Sequence, residues 1–283
     1  MFVLMIQVGK RFFSVIMIAH IFFFLFTFFV LSMLFTQIMN LELWSRVNVI
    51  RQLNICYFFL VDAVRAVAIY PLNGGVKGRD ASLSKNPSGS LGFVRPAPGP
   101  DRTRDGSYQF FGRKNSFIEF PNRGKLDTRR STTLMAWIRH EGFSGPIFNF
   151  MPNGRGVRLW MISRTKLSVT FTPFRRRRLI KPVISGGVVP GRWTYVAATY
   201  NYKSGQAKLF IQNKFVARRY LGRIRLATNY PVRMGARIGD SRYFKGRISC
   251  MQIYPMALTA SQINARKTRC FRKGKEWLKL RNG

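Results

Sequence analysis

Short runs of apolar residues, or of alternating apolar and polar residues, fill the chain after residue 64 and are separated by turn residues. Such runs predict β-strands, and their spacing favours an antiparallel sandwich over a fold that alternates strands and helices. Residues 73–106 are rich in Gly, Pro and Ser, which predicts a long surface loop over one edge of a sheet. The predicted strands are residues 66–72, 107–112, 116–120, 132–140, 146–150, 157–163, 166–172, 192–200, 207–212, 214–220, 232–239 and 246–254.

The later connections are short, which predicts hairpins. Gly205 lies where a hairpin needs positive φ, and Asn213 alone separates two strand-like runs, so we expect a meander there. Near the C-terminus, Thr259 and Gln262 form a capping-box pattern. This pattern predicts one short helix after the last strand.

The N-terminal segment has a different pattern. Residues 12–39 carry no formal charge, and as a helix they would span about 42 Å, more than the roughly 30 Å hydrocarbon core of a bilayer. A cleavable signal peptide usually has a shorter apolar stretch. Residues 1–41 are therefore interpreted as a signal anchor, with a cleaved signal peptide as the alternative, and residues 42–65 as a juxtamembrane linker. The flanking charges favour neither orientation of the span.

Charge and composition exclude several classes of function. The chain has 48 Lys+Arg, 10 Asp+Glu and two His, and its formal net charge is +38. A glycosidase needs two carboxylates in one cleft, whereas Glu119 is alone in its predicted strand. His140 beside Glu141 has no identifiable third partner and is interpreted as a loop residue. No phosphate loop or nucleophile elbow is present, so we predict that the chain is not an enzyme.

Five motifs, taken in order, resemble the laminin-G-like (concanavalin-A-like) jelly-roll family, which includes pentraxins and lectin-like modules. They are AIYPLNG (68–74) followed by Asp80, SYQFFGRKNSFIEFP (107–121), TTLMAWIRHEG (132–142), GRWTYVAATYNYKSGQAKLFIQNK (191–214) and IGDSRYFKGRISCMQIYPMALTASQI (238–263). The resemblance covers residues 66–270 and implies a binding or adhesion domain outside the cell. Residues 271–283, which lie beyond the resemblance, are interpreted as a basic tail. The expected fold class is all-β, an antiparallel two-sheet jelly-roll sandwich with a short C-terminal helix, preceded by an N-terminal hydrophobic helix.

Cys250 and Cys270 are separated by a spacing that a structural bridge can use, with two buried free thiols as the alternative. The resemblance and the N-terminal segment both imply an oxidising compartment, which favours the bridge and an extracellular or lumenal domain. Some members of the family bind calcium through acidic loops. Here Ser249 and Cys250 stand where the family often has an acidic pair, so no cofactor is predicted. Asp80 is the remaining candidate calcium ligand and is interpreted as a turn cap.

The strongest local concentration of charge is the tract Arg175, Arg176, Arg177 and Arg178 with Lys181. Together with Arg218, Arg219, Arg223 and Arg225, it predicts a basic face for polyanions, and a generally solvated basic surface is the alternative. The expected partners are acidic carbohydrates or extracellular matrix proteins, and a membrane through residues 12–39. Nucleic acid is the alternative partner; it is not expected, because the N-terminal anchor and the bridge oppose access to it.

Overall fold

A computed structural model of the chain describes residues 25–33, 36–37, 39, 64–154, 156–175 and 180–271. The chain divides into two compact units, residues 1–63 and 64–283. In the first unit, residues 25–33 are helical. Within the described ranges, no helix combines the length and the apolar character that crossing a bilayer requires. Much of the predicted span at residues 12–39 lies outside those ranges, so the membrane helix stays a prediction.

The second unit is built from β-strands. Its strands are β1 (Ala68–Tyr70), β2 (Ser90–Leu91), β3 (Val94–Ala97), β4 (Ser107–Phe111), β5 (Ile118–Phe120), β6 (Thr132–His140), β7 (Gly145–Phe150), β8 (Arg158–Met161), β9 (Leu167–Thr170), β10 (Val183–Ser185), β11 (Thr194–Asn201), β12 (Gln206–Ile211), β13 (Lys214–Tyr220), β14 (Val232–Met234) and β15 (Lys245–Tyr254). A short C-terminal helix, Ala260–Arg266, and a single 3₁₀ turn, Arg269–Phe271, follow the strands.

The strands form two antiparallel sheets. The first sheet has the order β13-β12-β11-β6-β15-β4-β3, with β1 also paired to β15, and the second has the order β10-β9-β8-β7-β14-β5-β2. The predicted meander is confirmed, because β11, β12 and β13 are neighbours in sequence and in the sheet. Gln212 and Asn213 form the tight turn between β12 and β13, and both have positive φ. The all-β antiparallel sandwich predicted from the sequence is therefore correct.

The core lies between the two sheets and follows the alternation of each strand. In β6, Leu134, Ala136 and Ile138 face the second sheet, whereas Met135 faces the opposite side. A second apolar layer forms on that outer side, where Ile263 of the C-terminal helix packs. The sandwich therefore has a main core and a smaller one beneath the helix.

The C-terminal helix has its own cap, and a disulfide and a hydrogen bond attach its end to the first sheet. Thr259 and Gln262 form the predicted capping box at the start of the helix. Cys250 in β15 is bonded to Cys270, as predicted, and their Cα atoms are 5.5 Å apart. The indole nitrogen of Trp137 also donates to the carbonyl of Lys267 at 2.8 Å. These contacts hold the helix against the outer side of the sheet.

The sequence pattern missed three short strands. β2 and β3 lie inside the predicted loop at residues 73–106, and β10 was assigned to no strand. β3 and β10 are edge strands, and β3 contains Pro96, which an edge tolerates because one side of its backbone needs no partner. The predicted strand 232–239 ends early, because Gly235 has a φ of +82° and a Cβ there would lie 2.3 Å from the ring of Phe110.

Replacing both cysteines by alanine, C250A/C270A, is expected to lower the free energy of unfolding by about 3 kcal/mol, because the bridge closes a loop of 20 residues. Denaturant unfolding of the full chain in a nonionic detergent measures this change. The matched control is C56A, which removes a thiol without removing the bridge and should leave the midpoint unchanged. Equal midpoints for C250A/C270A and wild type would contradict a stabilising role for the bridge.

Candidate functional site

The described basic residues predicted from sequence gather at one edge of the sandwich, where terminal strands of the two sheets approach each other. β13 ends the first sheet and β10 ends the second. The guanidinium Nε of Arg219 donates to the carbonyl of Pro182, just before β10, at 3.1 Å. We call this surface the basic edge and define it by six residues, all exposed: Arg175, Lys181, Arg218, Arg219, Arg223 and Arg225.

The arginine tract is anchored to the rest of the basic edge at both ends. At its start, the backbone N–H of Phe174 donates to the carbonyl of Arg225 at 2.7 Å. At its end, Pro182 accepts the hydrogen bond from Arg219. Arg176, Arg177 and Arg178 lie outside the described residues. The fold nevertheless joins two groups of cations that are about 40 positions apart in the sequence.

A buried tyrosine fixes the segment that follows β13. The hydroxyl of Tyr200 donates to the carbonyl of Gly222 at 2.8 Å and accepts from the backbone N–H of Ile224 at 2.8 Å. Arg223 lies between these two residues, and its Nε donates to the carbonyl of Lys203 at 3.2 Å. The backbone on both sides of Arg223 is therefore held by the core.

The cations of β13 point to both sides of their sheet. Arg218 is opposite Lys208 of β12, whereas Arg219 is opposite Ala207. Residues directly opposite each other share one face, so Arg218 and Lys208 lie together on the outer side while Arg219 reaches toward β10. The predicted basic face is thus a basic edge that wraps around the rim of the sandwich.

A second feature of the sequence explains why this surface stays positive. Between Glu141 and Asp240 the chain has 98 residues with 19 Lys or Arg and no Asp or Glu. The carboxylate of Asp127 lies near the tract, but it is paired with Arg129 at 2.6 Å. Arg129 in turn lies over the ring of Phe174, at 4.6 Å from its centre. The acid-free stretch also covers much of the second sheet, and this absence of acids is a sequence signal that local runs of charge do not reveal.

The structure gives Asp80 a structural role. Its carboxylate accepts hydrogen bonds from the backbone N–H groups of Ile69, Ser82 and Asn86 and from the side chains of the latter two residues. These donors tie β1 to the following loop, as expected of a turn cap. Among the residues that the structure describes, no group of three His, Cys, Asp or Glu side chains could hold a metal ion.

The interpretation of His140 as a loop residue is wrong, because His140 is the last residue of β6 and is fully buried. Its Nδ1 accepts from the backbone N–H of Gly142 at 3.0 Å, and its Nε2 has no hydrogen-bond partner. Burial, reinforced by the charge of Arg164, lowers the pKa of His140 below its ordinary value of 6.5. Glu141 points elsewhere and lies 3.4 Å from Lys245. The two side chains therefore form no acid–base pair.

The chain belongs to the concanavalin A-like lectin/glucanases superfamily, because the laminin G model of that family matches residues 111–264. The resemblance drawn from the five sequence motifs is thereby confirmed. No curated protein matches the sequence.

Two solved structures have the same fold. The binding domain of paraclostridial mosquitocidal protein 1 is 15% identical, with a TM-score of 0.57, and the match covers 71% of this chain and 51% of that one. The binding domain of botulinum neurotoxin serotype G is 14% identical, with a TM-score of 0.58, and the match covers 71% of this chain and 50% of that one. This chain thus spans about half the length of these two structures.

Replacing Asp80 by asparagine is expected to lower the free energy of unfolding by about 2 kcal/mol, because charge-assisted hydrogen bonds are lost. Thermal unfolding of the full chain, with EDTA or with calcium, measures the effect. We expect the same loss in both buffers. Calcium that raises the midpoint of wild type but not of D80N would show that Asp80 is a calcium ligand.

The buried His140 predicts a loss of stability in mild acid. Its pKa is lowered in the folded state, so the unfolded chain takes up the proton first as the pH falls below 6.5. The free energy of unfolding should fall by at most about 1.4 kcal/mol per pH unit and level off below the folded pKa. Denaturant unfolding between pH 7 and pH 5 measures this slope, and H140Q should remove it. An unchanged slope in H140Q would assign the proton uptake to another group, such as His20.

Proposed function

We propose that this chain is a non-catalytic binding module that uses its basic edge to hold acidic polymers, such as sulfated glycans or acidic matrix proteins, outside the cell. One observation carries the proposal. Hydrogen bonds on both sides of the arginine tract connect it to β13 and to the segment after β13, and all of these residues lie in a stretch of 98 residues that lacks carboxylates. Exposed cations with few neighbouring acids create a field that attracts polyanions.

The geometry suits a long ligand with repeated charges. Four of the six cations of the basic edge lie on β13 or in the segment after it, and all six are exposed, so they are spread along the rim of the sandwich. Each guanidinium can pair with two oxygens of a sulfate or carboxylate. Phe174 and Pro182, on either side of the tract, are held by hydrogen bonds, so the described backbone next to the tract needs little reordering when a ligand binds.

The similar structures support a binding role as an analogy of fold. Both are binding domains, one of a mosquitocidal protein and the other of a botulinum neurotoxin. A shared fold does not determine a shared ligand, so the chemistry of the proposed ligand comes from the basic edge.

The proposed location is extracellular or lumenal, with residues 12–39 acting as a single membrane anchor, or as a signal peptide whose removal releases a secreted protein. The Cys250–Cys270 bridge supports this location, because disulfides persist in oxidising compartments. The same argument favours acidic glycans and matrix proteins over nucleic acid as the polyanion.

A purely structural interpretation of the basic edge makes a different prediction. Cations on edge strands prevent sheets from pairing edge to edge, and β13 and β10 are both edge strands. In that interpretation, the charges need no particular arrangement. A comparison between a sulfated glycan and a simple charged surface separates the two explanations.

The test is salt elution of the full chain, oxidised and in a nonionic detergent, from heparin and from a sulfonate exchanger of matched charge density. Wild type should elute later from heparin than from the exchanger. The variant R218Q/R223Q/R225Q should lose this difference, and its affinity should depend less steeply on salt, by about one ion per cation removed. Equal elution of wild type from both columns would refute an organised site.

The matched control is R104Q/R123Q/R192Q, which removes three exposed arginines that lie outside the basic edge. Both triple variants should elute earlier from the exchanger by similar amounts, because they lose the same charge. Only the basic-edge variant should lose the additional retention on heparin. A control variant that loses as much would show that net charge alone determines binding.

A further inference from the structure

A second basic site lies on the outer side of the second sheet, at the junction of β5 and β14. The surface forms a depression of about 480 Å³, within the range of small-molecule sites. Four cations and no carboxylate line it. The lining residues are Arg113, Lys114, Asn115, Phe117, Arg233, Arg237 and Ile238.

Arg233 is held rigidly in this depression. It lies on β14 opposite Glu119 of β5, and its Nε is 2.6 Å from the Glu119 carboxylate. Its guanidinium carbon is 3.8 Å from the centre of the Phe117 ring. The salt bridge and the ring together fix the plane of the guanidinium, so it is oriented before any ligand arrives.

Arg237 supplies a second cation from the segment after β14. Its Nη2 lies 3.3 Å from Asp240, and its Nε is buried without a hydrogen-bond partner. The same Asp240 carboxylate also accepts from Arg242 at 2.7 Å, and this bonding lowers its pKa to about 2. One carboxylate is thus shared by two arginines, and a buried donor next to the depression remains unsatisfied.

Arg113 and Lys114 complete the rim and are both exposed. Neither forms an ion pair with any residue that the structure describes. Counting these two residues with Arg233, Arg237 and Arg242 against Glu119 and Asp240 leaves a local charge of +3. Phe117 and Ile238, which is 47% exposed, add apolar surface between the cations.

We propose that this depression binds a single anionic group, a carboxylate or a sulfate, carried on a sugar-sized ring. The anion would lie between the rim cations Arg113 and Lys114 and the oriented guanidinium of Arg233. The apolar face of the ring would pack on Phe117 and Ile238. Binding of a polyanion would require only positive charge in the site. This site combines fixed cations with apolar surface, and that combination suits an acidic monosaccharide unit.

The site is separate from the basic edge. β10, which borders the basic edge, and β14, which carries Arg233, are four strand spacings apart in the second sheet, or about 19 Å. The inference goes beyond the proposed function, because it concerns another surface and a smaller ligand. The two proposals can therefore fail independently.

Ligand-observed NMR tests the proposal with methyl glucuronide as the anionic probe and methyl glucoside as its neutral counterpart. The protein is the full chain, in a polyoxyethylene detergent that contains no sugar. We expect saturation transfer to the glucuronide, with a dissociation constant of about 1 mM, and little transfer to the glucoside. Equal transfer to both probes would overturn the proposal, because the carboxylate would then contribute nothing.

Variants on the two surfaces give the decisive comparison. R113Q/K114Q should weaken glucuronide binding about tenfold, because two charge-assisted contacts are lost, and should retain the heparin preference of wild type. R218Q/R223Q/R225Q should bind glucuronide within about twofold of wild type. Equal weakening by both variants would overturn the site, because the overall charge would then be what holds the probe.

A third variant tests the apolar contact. F117L keeps the cations but removes the ring beneath Arg233, and it should reduce transfer to the ring protons of the glucuronide more than transfer to its methyl group. An unchanged pattern of transfer would remove Phe117 from the site. Thermal unfolding of each variant is measured beside wild type, and binding is compared only between proteins that are folded at the temperature of the NMR experiment. Loss of folding is then not mistaken for loss of binding.

Discussion

Repulsion among 48 Lys and Arg side chains, opposed by only ten carboxylates, acts on the whole chain. The sandwich withstands this repulsion because burial of apolar surface between its sheets does not depend on charge. Three of the seven described carboxylates are used at joints. Asp80 ties β1 to its loop, Asp127 pairs with Arg129, and Asp240 holds two arginines. These three acids make contacts within the fold, and the stretch from residue 142 to residue 239 contains no acid, so the basic edge is left positive.

The two basic surfaces keep their arginines ordered in different ways. At the basic edge, backbone contacts anchor the tract, while Tyr200 holds the turn around Arg223. In the depression, Arg233 lies over the ring of Phe117. Stacking restrains a long side chain without neutralising its charge, so a guanidinium on a ring loses less freedom when it binds an anion. The edge therefore suits an extended ligand, and the depression suits a compact one.

The parts of the fold that could be predicted from sequence are those with a local signal. Strands β6 and β13 have the predicted bounds, and the capping box at Thr259 begins the helix as expected. The edge strands β2, β3 and β10 were missed because they are short and only partly buried, so they show little alternation. The tract at 175–178 is a local run of charge. The depression joins residues 113–117 to residues 233–238 through the pairing of β5 with β14, which no local pattern reveals.

The fixed geometry of the second sheet limits how the two surfaces can act together. Because β10 and β14 belong to the same sheet, their separation of about 19 Å is set by strand spacing and does not adjust to a ligand. A monosaccharide is too short to contact both surfaces. An acidic polymer longer than this distance could occupy both at once, and its second contact would then form at a high effective concentration. Cooperative binding at the basic edge and the depression would thus depend on the length of the ligand, whereas binding at either surface alone would depend on the chemistry of the ligand.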